Sequence, residues 1–292
     1  MLAVLSWDPD RVLFTIPYIN HPIGWYGLLF ASGFLLSYFM LLFLIKNAIK
    51  QNPKLAAPKY ASLSAEDIAQ IVVDRLSWYV VLGTIIGARL GHVLFYDLDY
   101  YRAHPMSILY IWEGGLASHG GTLGVLLALF LFYRKLKQVL PGFSFLAFMD
   151  TFCIAVPIAC FFIRLGNFFN QEILGTPTQL PWAISFGHPM DGQANIPSHP
   201  AQLYEAGVYF LVFIALLICW KYIREKIGTG FFVGLLFLTI FGSRFLIEFV
   251  KVHQPNIWDS SSLQMGQWLS LPFIIAGVVL FINSIKKTPV RT

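Results

Sequence analysis

Seven long apolar runs dominate the chain, at 23–45, 76–96, 116–133, 143–163, 203–220, 230–250 and 267–285. A helix needs about 20 residues to cross a bilayer. In hydrocarbon every backbone N–H and C=O must find a partner within the segment, so such runs are expected as helices. The third is the shortest and opens on glycines. Composition agrees: 57% of the 292 residues are hydrophobic and only 12% are charged, against roughly 25% charged in a soluble domain. The expected fold is an all-α integral membrane protein of seven transmembrane helices, with residues 1–292 as one membrane domain.

A formal charge of +5 would point toward nucleic acid in a soluble protein. Here the basic residues sort by loop instead. Lys46, Lys50, Lys54, Lys59 and Arg75 follow the first run; Arg134, Lys135 and Lys137 follow the third; Lys221, Arg224 and Lys226 follow the fifth. Lys286, Lys287 and Arg291 follow the seventh, whereas the opposite loops hold only Arg11, Arg102 and Lys251. The positive-inside rule applied to fourteen against three places the C-terminus in the cytoplasm and the N-terminus outside. The first twenty residues lack a basic n-region and carry Asp8 and Asp10, unlike a cleaved signal peptide, so the first run is expected as a retained helix. Cys153, Cys160 and Cys219 all fall in apolar runs without metal-ligand spacing and read as buried hydrophobes.

The remaining basic residues, Arg89, Arg164 and Arg244, fall in or at the ends of apolar runs, with Asp150, Glu205 and Glu248 for company. A charge at the centre of a membrane helix costs roughly 2.5–3.5 kcal/mol on insertion scales and usually faces a protein interior. Arg164 is either such a functional charge or an anchor that snorkels to the interface. Glu248 lies four residues after Arg244 on one helical face, so a structural pair within that helix is a second reading for Arg244. On the predicted topology Arg164, Glu205, Arg244 and His119 all lie toward the outer side.

Residues 167–201 form an outer loop that is broken by five prolines yet carries Trp182 and Phe186, which predicts a small ordered cap with a short strand over 182–186. Ser64 followed by Glu66 and Asp67 reads as a capping signal that opens a polar lead into the second helix. No internal repeat of the transporter kind is visible.

Gly114-Gly115-Leu116-Ala117-Ser118-His119-Gly120-Gly121 sets four glycines around one histidine. Glycines admit a ligand close to backbone N–H groups, and a helix starting there points its positive end outward, which suits a phosphate. His119, with an ordinary pKa near 6.5, can take a proton at neutral pH; the alternative is a tight loop whose histidine only caps the helix. Arginine binds phosphate oxygens bidentately, so outward-side arginines at membrane depth suggest a phospholipid headgroup. Glu205 would sit in the first turn of its helix, where the dipole favours an acid for structural reasons alone. Tyr26 by itself reads as an interfacial aromatic.

Taken together these segments resemble the prolipoprotein diacylglyceryl transferase family along nearly the whole chain. The resemblance is carried by Gly24-Trp25-Tyr26-Gly27, Gly87-Ala88-Arg89-Leu90-Gly91 through Tyr96, the His119 glycine loop, His199 to Glu205, and Arg244 through Glu248. Its most specific part is Arg-x-Gly-Asn-Phe-x-Asn-x-Glu-x-x-Gly, read here from Arg164 to Gly175. The resemblance implies an enzyme of the bacterial inner membrane whose site opens to the outer leaflet and periplasm. It implies transfer of the diacylglyceryl group of phosphatidylglycerol to the sulfhydryl of a lipobox cysteine in prolipoproteins, with no cofactor or metal and no nucleic-acid partner.

Residue by residue, the resemblance assigns catalysis to His119, Arg164 and Arg244. It assigns phosphatidylglycerol binding to Arg164, Arg244, Tyr26, Asn167, Gly175 and Glu205. Asp150, Asn170, Glu172 and Glu248 fall on motif positions with less defined roles. The chain departs from the family at Ile240, where a tyrosine is common. Glu205 and Glu172 stay open as alternatives to His119 for the base. A lipid transporter and a membrane acyltransferase are the competing classes; neither accounts for the glycine-flanked histidine together with the Arg164 motif.

Overall fold

A computed structural model describes residues 4–18, 20–190, 193–252 and 263–286, without the side chains of residues 113, 118 and 119. Lys287 and Arg291 of the charge argument lie outside the described residues. Among the described residues six helical segments are long and apolar enough to cross a membrane: Trp25–Gln51, Ala65–Phe95, Phe145–Phe169, Ala201–Lys226, Phe231–Val250 and Met265–Lys286. The predicted third span also folds as a helix, Ser118–Leu136. It is not among the six: Ser118, His119 and Thr122 near its start and Arg134 and Lys135 at its end lower its mean hydropathy. The protein is thus mostly helical, with the chain divided into two compact units, Met1–Met40 with Met149–Thr292, and Leu41–Phe148.

In the unit Leu41–Phe148 the main elements are the C-terminal end of α1 (Trp25–Gln51), α2 (Ala65–Phe95), the short α3 (Leu98–Ala103) and α4 (Ser118–Leu136). The expected start of α2 is present as a capping box. Ser64 Oγ accepts from the Asp67 N–H at 3.1 Å, and the Ser64 N–H donates to Asp67 Oδ2 at 3.2 Å. Lys46 pairs with Glu66 beside it. α2 and α4 meet backbone to backbone along Gly83, Gly87 and Gly91 on one side and Gly120, Gly124 and Ala128 on the other. A Cβ added at Gly91 would lie 2.6 Å from Gly120 Cα, and one at Gly87 2.7 Å from Gly124 Cα. Lipid supplies no hydrophobic drive for helix association, and small residues at four-residue spacing gain van der Waals contact instead.

The other unit holds the N-terminal part of α1 with α5 (Phe145–Phe169), α6 (Ala201–Ile223), α7 (Phe231–Ile247) and α8 (Met265–Lys286). Ser37 Oγ of α1 donates to the Ala155 carbonyl of α5 at 3.0 Å. Phe241 of α7 stacks on Phe273 of α8 with centroids 4.2 Å apart. At the start of α7, Gly228 and Gly230 adopt φ of 90° and 89°, a region open to glycine and strained for other residues.

That turn exposes N–H groups, and Asp150 of α5 receives them. Its carboxylate is fully buried and accepts from Gly228 and Gly230 at 2.9 Å and from Val233 at 3.0 Å. Asp150 therefore caps α7 from a neighbouring helix, which gives that motif position a structural role. Asp150→Ala leaves two buried donors and one half-buried donor unpaired, the buried ones at about 1–3 kcal/mol each. It is expected to lower the thermal midpoint of the detergent-solubilised protein well below that of wild type.

The N-terminal residues, for which the sequence suggested no element, form strands β1 (Leu5–Trp7), β2 (Val12–Ile16) and β3 (His21–Gly24). β1 runs parallel to β4 (Ile184–Phe186), which pairs antiparallel with β5 (Pro197–Ser198). β2 and β3 form a hairpin. The expected strand is present as β4, inside the 167–201 segment. Trp7 stacks on Phe168 with centroids 4.4 Å apart, and its Nε1 donates to the Phe168 carbonyl at 3.1 Å. Phe168, Leu174, Ile184 and Phe186 form the apolar cluster beneath these strands.

Candidate active site

α5 continues through the first half of the Arg164 motif, two turns beyond the predicted end at Ile163. The extension is affordable because the polar side chains it carries find partners. Arg164 Nη1 donates to Asn167 Oδ1 at 2.8 Å, and Asn167 Nδ2 donates to Glu172 Oε1 at 2.8 Å. Asn170 Nδ2 reaches the same Glu172 oxygen at 3.4 Å. The helix then turns sharply. Gln171 and Ile173 take φ of 53° and 60°, a conformation unusual for any non-glycine residue and strained for a β-branched one.

The turn is strapped in place from several sides. The Glu172 N–H donates back to the Asn167 carbonyl at 3.0 Å, and Gln202 Nε2 donates to the Glu172 carbonyl at 2.8 Å. Buried Gln171 donates to Asp8 Oδ1 at 3.0 Å and accepts from the His188 N–H at 2.8 Å. The hydrogen bonds from His188 and Gln171 hold the Asp8 carboxyl below its ordinary range. Strain at a site is retained only where the surroundings over-determine it, and here they do.

Past the turn, residues 174–176 run between two neighbouring segments. The Gly175 N–H donates to the His199 carbonyl at 3.0 Å, the Thr176 N–H to Val250 at 2.8 Å, and the Val252 N–H to Leu174 at 3.0 Å. A side chain on Gly175 would collide with the backbone of His199 and Val250. Glycine is required there by close approach of backbone, since its φ is unremarkable. This stitching brings the start of α6 and the end of α7 against the motif.

A chain of buried charges results. Glu205 has no exposed surface; its Oε2 lies 2.7 Å from Arg164 Nε, and its Oε1 accepts from Lys251 Nζ at 2.9 Å. Lys251 also donates to Glu248 Oε2 at 3.0 Å. The Arg164–Glu205 contact is an ion pair by distance although its N–H is not aligned on Oε2, which has no hydrogen-bond donor in line. Glu205 sits one residue past the first turn of α6, so it serves the cluster more than the helix dipole. Tyr26 lays its ring on Gly166, where a Cβ would lie 2.8 Å from its Cδ2.

Arg244, half-buried in the last turn of α7, lies within electrostatic range of Glu205. Among the described residues its guanidinium has no hydrogen-bond or ion-pair partner. The suggested pair with Glu248 is not formed, because Glu248 turns to Lys251 instead. Ile240, at the position where a tyrosine is common in the family, is buried in α7.

The structure thus collects Tyr26, Arg164, Asn167, Gly175, Glu205 and Arg244 in one unit. His119 belongs to the other. It stands in the first turn of α4, and its side chain lies outside the described residues. Lys251, counted above only as an outer-loop charge, was missed as a member of the cluster. A signal existed: Arg244, Glu248 and Lys251 recur at spacings of four and three, which is one helical face.

Such a fold and site define a multi-pass membrane protein that buries a network of charged side chains where its helices end. Comparison with known proteins narrows the class. The prolipoprotein diacylglyceryl transferase family profile matches residues 11–283. Phosphatidylglycerol–prolipoprotein diacylglyceryl transferases of Tolumonas auensis and Porphyromonas gingivalis are each 40% identical to this chain, covering 97% of it and 99% and 96% of their own lengths. The protein of that name from Protochlamydia amoebophila is 38% identical over 96% of this chain and 94% of its own. The chain belongs to the prolipoprotein diacylglyceryl transferase family.

Proposed function

We infer that this protein transfers the diacylglyceryl group of phosphatidylglycerol to the sulfur of the lipobox cysteine in prolipoproteins, the first step of lipoprotein maturation. Family membership over nearly the full chain supports the reaction. The observation that carries the site is the contrast between two arginines. Arg164 is committed to Glu205 and Asn167, while Arg244, within electrostatic range of Glu205, has no hydrogen-bond or ion-pair partner among the described residues. A free guanidinium next to a held one is what an incoming phosphate diester needs.

In this reading the cysteine thiol, only a few per cent thiolate at neutral pH, loses its proton to a base. The sulfur attacks the glyceryl carbon that bears the phosphate ester. The C–S bond forms as the C–O bond breaks, and glycerol phosphate departs with the electron pair. Arg244, with Arg164 behind it, stabilises the charge that grows on the leaving phosphate. Tyr26, Asn167 and Gly175 shape the headgroup site.

His119 is the base. Glu205 is ill suited to that role because both of its oxygens face cations. Glu172 keeps one oxygen without a partner among the described residues and is the second candidate. The chain lies in the bacterial inner membrane with seven spans, N-terminus outside, and 167–201 as a periplasmic cap over the site. The test is direct. Purified protein, phosphatidylglycerol vesicles and a lipobox peptide are incubated and the peptide is weighed. A gain of one diacylglyceryl mass on cysteine is expected; an unmodified peptide refutes the reading.

A further inference from the structure

We propose that Arg89 is a positioning residue for catalysis, fixing the loop that delivers His119; this rests on the reading of His119 as the base. Arg89 lies in α2 and is 4% exposed. Its guanidinium donates to five backbone carbonyls. Nε reaches Ile108 at 2.9 Å, Nη1 reaches Gly114 at 2.7 Å and Gly115 at 3.2 Å, and Nη2 reaches Tyr110 at 3.2 Å and also Ser107. The Tyr101 ring covers the cation, with its centroid 5.0 Å from Cζ. Among the described residues no carboxylate pairs with it.

All five carbonyls belong to the connection between α3 and α4. Burying a cation on neutral carbonyls is expensive, and simple filling of the space would be met by an apolar side chain. What the guanidinium adds is geometry: five N–H groups in a planar fork, spread over residues 107–115. A lysine has one nitrogen and cannot span that arc. The neighbouring residue continues the grip, because the Ala88 carbonyl accepts from the Ala117 N–H at 2.9 Å. In the same turn of α2, Gly91 meets Gly120. Gly114 and Gly115 take φ of 91° and 68°, so the loop bends where only glycine does so without strain.

Residues 114–120 are therefore pinned at both ends to one turn of α2, and His119 lies inside the pinned stretch. Without the fork the two glycines leave that stretch slack. A misplacement of about 1 Å at a reacting group can cost on the order of 100-fold in rate.

The test compares full-length wild type with Arg89→Lys, Gly115→Ala and His119→Gln. The Gly115→Ala methyl would meet Arg89 Nη1 at 2.6 Å, so it disturbs the same contact while keeping the arginine. For each protein kcat and KM for phosphatidylglycerol are measured. The pH profile of His119 carbethoxylation by diethyl pyrocarbonate is read by mass spectrometry. Expected for Arg89→Lys and Gly115→Ala is a kcat loss of about 100-fold with KM changed less than about twofold, and a displaced His119 labelling profile. Wild-type kcat and labelling in both variants, with His119→Gln inactive, overturn the proposal for Arg89. A matched fall in kcat and rise in KM with unaltered labelling also overturns it. Wild-type rate and pH profile in His119→Gln overturn the base reading instead.

Discussion

Arg244→Ala is expected to abolish transfer while leaving the protein folded, and Arg164→Ala is expected to cost both activity and stability. The difference follows from what each guanidinium touches. Arg244 has no partner among the described residues, so its removal leaves no protein group unpaired. The loss falls on the phosphate it would bind. Removing one preorganised donor from a developing oxyanion costs about 100- to 1000-fold in kcat, and a bidentate charged donor belongs at the upper end. Arg164→Ala strips Glu205 of the cation 2.7 Å away and frees Asn167 Oδ1, leaving a fully buried carboxylate with Lys251 as its one ion-pair partner among the described residues. Breaking a buried pair from one side costs about 3–5 kcal/mol. Activity in the peptide-mass assay and thermal melting in the same detergent separate the two. Equal melting for Arg164→Ala and wild type would remove the structural role given to that ion pair. Wild-type turnover in Arg244→Ala would remove the role of Arg244 as phosphate ligand.

The six spans and α4 were legible because apolar length is a local property, and so was the Ser64 capping box. The end of α5 was not. Arg164 and Asn167 look like a helix terminus when read as polarity, but each finds its partner inside the motif or on α6, and the helix runs on to Phe169. The N-terminal strands were invisible for another reason. β1 pairs with β4 across about 180 residues of chain, and nothing within five residues of Trp7 announces a parallel partner. Among candidate site residues, Arg164 stood out as a charge at the end of an apolar run, and Asn167 and Gly175 came only through the family resemblance. Lys251 did not stand out, because a lysine next to an apolar run counts first as a topology marker. Only the stitching of 174–176 to 250–252 shows that it points inward.

Lys251→Met is the second large effect expected, and its sign is set by the charges it leaves behind. In wild type the Lys251 side chain is 7% exposed and its ammonium is shared between Glu205 and Glu248 at 2.9 and 3.0 Å. Without it, Glu205 keeps Arg164 as its one ion-pair partner, and Glu248 keeps none, among the described residues. Two carboxylates in a nearly dry site then compete for the arginines that would otherwise face phosphate. The variant should lose about 3–5 kcal/mol of stability by the same buried-pair argument. It should also raise KM for phosphatidylglycerol, since Glu205, within electrostatic range of Arg244, then draws on that arginine more strongly. Lys251→Arg keeps the charge and should restore most of both properties. The double variant Lys251→Met with Glu205→Gln removes the uncompensated acid along with its partner. It should be more stable than Lys251→Met alone, the coupling that a double-mutant cycle reads for groups in one network. Strictly additive losses would mean that Lys251 and Glu205 act independently, and the ion chain would then be a geometric coincidence and not the scaffold of the site.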